Sequence, residues 1–326
     1  MSRPDVCVSI LYWHSFEDTI QCVRSVLDSD YEQVRVVLSN NSRYSPDRVV
    51  DRFDDDRLSV IDHRENVGFA RGHNRAAERA QELGCEYIFF LNNDAVLGEG
   101  AIDRLVDRAE EADESALYAP TVYRRNGSER LEFVAGYIDW TVGTPHSYGS
   151  ELESDVRELP RPIEQDDIDY LHGAALFAPL DVFESLGGFD ESYFIFYEDT
   201  DLGQRAKERG VRLEPVEDAV VYHEKGDDID VPEYEDFWAY LNTRNKFWFM
   251  TRHANGLQFA QFLCWYFFYI VPRRFADGVV NRKGAAFVLY TLYGCLAAVS
   301  FTPFRETHIR ERTDTAVMDS VETSEV

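Results

Sequence analysis

Between residues 5 and 119 short apolar runs alternate with amphipathic stretches, and that rhythm leaves few folds open. DVCVSIL (5–11) reads as a buried strand. Residues 17–28 follow with Ile20, Val23, Val26 and Leu27 at helical spacing. VRVVLS (34–39) is a second strand, and after a turn-rich stretch and a short helix RLSVI (57–61) is a third. Residues 68–83 read as a helix ended by Gly84. YIFFL (87–91) shows no alternation, so both of its faces should be buried, as in a parallel sheet. A helix over 99–110 and a strand over 115–119 complete the series. Such alternation implies the α/β class with a doubly wound open sheet. Ligands of these sheets bind at the carboxyl ends of the strands. Residues 12–15, 39–42 and 92–94 therefore belong to one rim.

Farther on, residues 124–150 read as irregular hairpins and 150–169 as an acid-rich, solvated loop. A strand is expected over 170–178, a short helix over 180–186, a helix over 198–209 ended by Gly210, and a long helix around 233–252. There are no internal repeats. The chain carries 60 acidic against 33 basic residues, net −27, and its lysines are confined to positions 207, 225, 246 and 283. Self-repulsion of that size is screened at high salt, which points to a halophile's solvation strategy. It disfavours duplex nucleic-acid binding, since no basic stripe balances the phosphates. Five scattered cysteines without C-x-x-C spacing fit reduced thiols in a cytoplasmic protein and argue against a zinc site. The N-terminus turns directly into a strand, with no signal-peptide pattern.

Two acidic segments carry chemistry. LNNDA (91–95) sets Asp94 at the end of a buried strand, on the ligand rim, where the plain alternative is a turn former. FIFYEDTDLGQR (194–205) opens a helix with Glu198, Asp199 and Asp201 directly after an aromatic run. Capping and the helix macrodipole account for one or two acids there. Three beside Phe194, Phe196 and Tyr197 suggest a carboxylate tuned by an apolar wall, as a general base is. GFARGHNRA (68–76) lacks the phosphate-loop patterns.

Several segments, in order, resemble the family 2 glycosyltransferases over about residues 6–250. They are VSILYWHSFEDTIQCVRSVL (8–27), VRVVLSNNS (34–42), ENVGFARGHN (65–74), LNNDA, the long block HGAALFAPLDVFESLGGFDESYFIFYEDTDLGQRAKERG (172–210), AVVYHEKG (219–226) and TRN (243–245). The resemblance implies a glycosyltransferase-A fold: an open, twisted, mostly parallel sheet flanked by helices. It implies an inverting transfer of one sugar from a nucleotide-sugar donor to a glycan hydroxyl. Asp94, with Asn92, would hold Mg2+ or Mn2+ against the donor diphosphate, and His223 would be a metal or diphosphate ligand, or simply a strand-end histidine. Trp13 would stack on the base. Ser39, Asn40, Asn66, Gly68, Asn92, Asn93 and Arg244 complete the donor-side set. Asp199 would be the base, with Glu198 and Asp201 positioning it or its helix. The family's usual Asp in the second-strand turn is Ser39 here, which leaves the nucleotide open. The Asn-Asn-Asp form is similar to members that transfer deoxysugars such as rhamnose, so hexosyl and deoxyhexosyl transfer are both expected. No Q-x-x-R-W segment of the processive synthases is present. Rival readings are a sugar nucleotidyltransferase, whose Gly- and Arg-rich first loop is missing, and a non-catalytic nucleotide-sugar-binding protein.

The expected organisation is a catalytic domain over 1–252, an apolar helical pair over 253–304 and a polar, acidic, disordered tail over 305–326. Residues 257–272 and 284–304 carry no charge, while 244–283 holds seven basic residues and one acid, net +6. A spanning hairpin with its donor site in the cytoplasm would expose Arg273–Lys283 outside, against the positive-inside rule. The preferred expectation is a C-terminal helical membrane-associating appendage lying on the inner face of the cell membrane, its basic loop on anionic headgroups. The alternative is a buried helical pair. The acceptor expected at such a surface is a glycan linked to polyprenyl or dolichyl phosphate.

Overall fold

The structure is a computed structural model that describes residues 3–112, 114–125, 129–149, 163–223 and 232–273, together with 276, 289, 291–297, 311 and 313–317. Most of the acid-rich loop, most of the apolar run 284–304 and most of the tail expected over 305–326 lie outside the described residues. The chain divides into two compact units. The first comprises residues 1–137, 147–194 and 198–227, the second 138–146, 195–197 and 228–326. The expected boundary at 252 falls inside the second unit.

The first unit opens with β1 (Val6–Tyr12), α1 (Phe16–Leu27), β2 (Val34–Asn40), α2 (Asp47–Val50), β3 (Leu58–Asp62), α3 (Phe69–Glu82) and β4 (Tyr87–Leu91). β1 pairs in parallel with β2 and β4, and β2 with β3. The periodic residues of α1, Ile20, Val23, Val26 and Leu27, are all buried, which is why the 3.6-residue spacing is a sound guide. β4 is buried along its whole length. Its second neighbour is antiparallel, however, so burial and not strand direction accounts for its unbroken apolar run.

The rest of the unit departs from simple winding. β5 (Ala95–Leu97), α4 (Ala101–Glu110), β6 (Ala116–Arg125) and β7 (Glu129–Phe133) come next. In chain order a two-stranded ribbon of β8 (Gly136–Asp139) and β9 (Thr144–Ser147) follows, its residues 138–146 counted with the second unit, then β10 (Ala175–Pro179), α5 (Leu180–Leu186), α6 (Glu198–Glu208) and β11 (Arg212–His223). The nine-stranded sheet has the order β3-β2-β1-β4-β10-β6-β11-β5, with β7 on β6. β10 runs antiparallel between β4 and β6, and β11 is parallel to β6. The sheet is thus mixed, with four parallel and four antiparallel pairings among the described residues, rather than the mostly parallel sheet expected. β10 starts five residues later than its apolar pattern suggests, after the turn at Gly173.

One pairing places the site. β5 is antiparallel to the end of β11, with His223 opposite Ala95. That register sets a histidine from late in the chain beside the residue that follows Asp94.

The second unit is built on α7 (Pro232–His253) and α8 (Gly256–Trp265), the latter continuing as a π-helical stretch over Tyr266–Ile270. Asn255 starts α8 with a reciprocal capping box through Gln258. Trp140 stacks on Phe249, and Asn245 donates to the carbonyls of Ile195 and Phe196, both at 2.8 Å. Among the described residues no helix is long and apolar enough to cross a membrane.

Candidate active site

The site of the first unit lies at the carboxyl ends of β1, β2 and β4, and its loops are tied by their own polar side chains. The Asn41 amide N–H donates to the Tyr12 carbonyl at 2.7 Å, joining the β1 and β2 rims. Asn40 is fully buried and donates to Tyr44 O and Asp62 Oδ1, both at 2.9 Å. The Ser39 hydroxyl donates to Gly72 O at 3.0 Å and shares a hydrogen bond with His63 Nε2 at 2.8 Å. Both side chains therefore fasten loops. Asn66 Oδ1 accepts from Gly68 N at 3.0 Å, and Gly68 O accepts from Asn41 at 3.1 Å. Gly68 has φ +89°, and a Cβ there would sit 2.7 Å from the Phe194 carbonyl oxygen. Only glycine lets α3 start so close to the 194 backbone. Trp13 packs edge-on against His14 at 4.8 Å.

The turn after β4 is anchored at two of its three polar residues. Asn92 N–H donates to Ala174 O at 2.9 Å. Asn93 reaches His14 O and Thr19 Oγ1 at 3.0 and 2.9 Å, clamping the turn to the start of α1. Asp94 Oδ1 lies 3.0 Å from His223 Nε2. The far ring nitrogen, Nδ1, is 2.9 Å from Glu132 Oε2, and Glu132 Oε1 accepts from Arg124 at 2.9 Å. Burial opposes charge on His223, but its two carboxylate partners win and raise its pKa to about 10. Burial likewise opposes ionisation of Glu132, yet His223 and Arg124 hold its pKa down at about 2. The motifs single out Asp94 and His223. They do not single out Glu132 or Arg124, because an acid on an alternating strand looks like any solvent-facing residue.

The second cluster opens α6. Asp199 Oδ2 accepts from Gly173 N–H at 2.9 Å, and Oδ1 from Thr200 N–H at 2.6 Å and Thr200 Oγ1 at 3.1 Å. Glu198 is buried, and its Oε2 has no hydrogen-bond partner. Burial, reinforced by the Asp199 charge, pushes its pKa well above the usual carboxyl range and so favours its neutral form. Asp201 is fully buried and bound to Arg205 at 2.7 Å, while Arg205 also donates to Leu186 O and Gly188 O. That acid locks α6 to the GGFDE turn. His172 links the two clusters electrostatically. Burial lowers its pKa against the pull of Asp199, with His223 and Glu132 also acting on the ring. It stacks on Phe133 at 4.4 Å and accepts from Ala174 N–H through Nδ1.

Arg244 belongs to the second unit. It is fully buried in α7, donates to Asn245 Oδ1 at 2.9 Å and lies 4.4 Å over the Trp248 ring.

Residues 8–154 match the model of glycosyl transferase family 2. The chain is 26% identical over 208 residues to N-acetylglucosaminyl-diphospho-decaprenol L-rhamnosyltransferase of Mycobacterium tuberculosis, covering 59% of this chain and 67% of that one. It is 24% identical over 248 residues to the low-salt glycan biosynthesis hexosyltransferase Agl10 of Haloferax volcanii, covering 74% of each. The mannosyltransferase PcManGT from Pyrobaculum calidifontis, solved with GDP-Man and Mn2+, superposes with a TM-score of 0.54 at 14% identity over 98% of this chain and 87% of that one. The protein is therefore a glycosyltransferase with a GT-A-like fold. Over residues 8–154, a little under half of the chain, it is similar to glycosyltransferase family 2.

Proposed function

We propose that the protein transfers a single sugar, with inversion, from a nucleotide-sugar donor to a hydroxyl of a lipid-linked glycan, with help from a divalent cation. The observation that carries this reading is the Asp94–His223 pair on the rim where an open α/β sheet binds ligands. It offers one carboxylate oxygen and one imidazole nitrogen. Among the described residues no group of three His, Cys, Asp or Glu is arranged to hold a metal, and Glu132 sits on the wrong side of the ring to join. Two protein ligands suit Mg2+ or Mn2+, whose remaining positions go to diphosphate oxygens and water. When bound there, the cation supplies positive charge to the departing diphosphate. The Mn2+ and GDP-Man of the PcManGT structure support the same reading.

Asp199 takes the proton from the acceptor hydroxyl as that oxygen attacks the anomeric carbon from the face opposite the diphosphate. Its carboxylate is held by three donors, two of them backbone N–H groups that fix its direction. Burial of Glu198 beside it favours the neutral acid, which limits competing charge. Asn40 and Asn66 shape the nucleotide pocket, Trp13 stacks on the base, and Asn93 keeps the β4 turn in place. The name of the mycobacterial relative supports a deoxyhexose and a polyprenyl-diphosphate acceptor; that of the Haloferax relative supports a hexose.

The acceptor is met at the inner face of the cell membrane. Leu257, Phe267, Phe268 and Tyr269 are exposed in the second unit, Phe268 by 83%, in the stretch where the chain is net basic. Large exposed apolar groups beside basic residues suit an anionic lipid surface. The deciding experiment is a thermal-shift panel of UDP-, GDP- and dTDP-sugars in high KCl, with and without Mn2+. A Mn2+-dependent rise with one donor, lost in Asp94→Ala, is expected; a rise that survives in Asp94→Ala sinks the metal reading.

A further inference from the structure

Glu132 has a backbone reason to point where it does. β7 pairs antiparallel with β6, and the register runs Leu131 to Tyr123 and Phe133 to Val122. Glu132 is left between them without a partner, as the extra residue of a β-bulge. A bulge re-aims one side chain out of the regular alternation. Here the re-aimed carboxylate spans two groups, Arg124 on β6 and His223 at the end of β11, each at 2.9 Å. His223 is itself opposite Arg124 in the β6–β11 ladder, so three strands converge on this carboxylate. Its side chain is only 18% exposed and that of His223 16%, which makes the contact a sheltered one.

We propose that Glu132 is the positioning residue of the donor site: it holds the Nδ1–H of His223 and fixes the plane of the ring, so that Nε2, which shares its proton with Asp94 in the metal-free protein, is the nitrogen that gives its lone pair to a cation once that proton is displaced. The inference rests on the reading of Asp94 and His223 as the cation's ligands. An imidazole binds a cation through one nitrogen only if its proton is kept on the other. A carboxylate on that second nitrogen sets the tautomer, and loss of such a partner typically costs 10- to 100-fold in metal affinity. Arg124 holds the second oxygen of Glu132 and so keeps the carboxylate turned.

The test uses the full chain with Glu132→Gln and Glu132→Ala. Mn2+ affinity is measured by electron paramagnetic resonance with a nucleoside diphosphate present. The His223 tautomer is read by NMR on 15N-histidine protein without metal, above the ring's pKa of about 10, where the imidazole is neutral. Glutamine keeps the shape of the side chain, but Arg124 claims its single oxygen and its NH2 faces Nδ1. His223 must then carry its proton on Nε2. Both variants should lose Mn2+ affinity about 10- to 100-fold, and Glu132→Gln should shift the tautomer toward Nε2–H. A mere packing role would be rescued by Glu132→Gln, so wild-type affinity together with a wild-type tautomer in that variant overturns the inference. Should Glu132→Ala fail to fold, the near-isosteric Glu132→Gln carries the test. A wild-type chain that binds no Mn2+ with any nucleoside diphosphate removes the metal reading and the inference with it. Wild-type binding with an indifferent Glu132→Gln removes the inference alone.

Discussion

At the scale of single residues, neighbouring acids of one helical turn divide into different tasks. Asp199 is directed by backbone donors, Glu198 is buried with one carboxyl oxygen unpartnered, and Asp201 is spent on Arg205. Asp199→Asn should therefore cut kcat by about 10^2- to 10^4-fold, the usual worth of a general base. Donor-induced stabilisation should stay intact, because the donor side is untouched. Steady-state kinetics and donor thermal shift together check this. His73 carries a separate prediction. It bonds Ser9 through Nδ1, its Nε2 has no partner, and burial drops its pKa to about 3. Below about pH 6.5 the unfolded chain takes up a proton that the folded chain refuses. The contribution is complete above that pH and is lost on acidification towards 3. Between pH 6.5 and 5 it costs about 2 kcal/mol. Urea unfolding at the two pH values should show that loss, and His73→Gln should flatten it.

At the scale of elements, α6 and the GGFDE turn form one mechanical part. Arg205 ties Asp201 to the carbonyls of Leu186 and Gly188, and Asn74 of α3 holds both the N–H and the O of Phe189. Asp201→Ala leaves a largely buried guanidinium without its anion, a loss of about 3–5 kcal/mol. Chemical denaturation should show a drop of that size, far larger than for the exposed Arg75–Glu78 pair. The α8 stretch makes a different prediction. Phe267→Ser with Phe268→Ser should abolish co-sedimentation with anionic vesicles and leave transfer to a short soluble acceptor unchanged. Sedimentation that persists would remove the lipid-surface reading. The elements themselves were partly legible. α1, β4 and α5 stand where periodicity sets them, because a buried helix face or a fully buried strand leaves a pattern several residues long. β5 was not legible, since three residues are too few to show a period, and neither was the bulge at Glu132.

At the scale of the whole molecule, charge sets how the protein responds to its solvent. With a net −27 the folded chain repels itself at low ionic strength. Raising KCl from 0.1 to 2 M should raise the melting temperature; NaCl should act alike if screening is the cause, whereas a flat response would refute a halophilic reading of the composition. Composition, hydrophobic periodicity and the order of short motifs determined by themselves the α/β class, the shared rim of β1, β2 and β4 and the positions of both acidic clusters. All of these rest on interactions within a few residues or on patterns repeated along one element. Tertiary structure alone decided that β10 lies reversed between β4 and β6, that β5 meets β11, and that Glu132 and Arg124 stand behind His223. Residues 91 to 129 positions apart leave no local signature of their meeting, because strand order and register are chosen by the burial of the whole sheet.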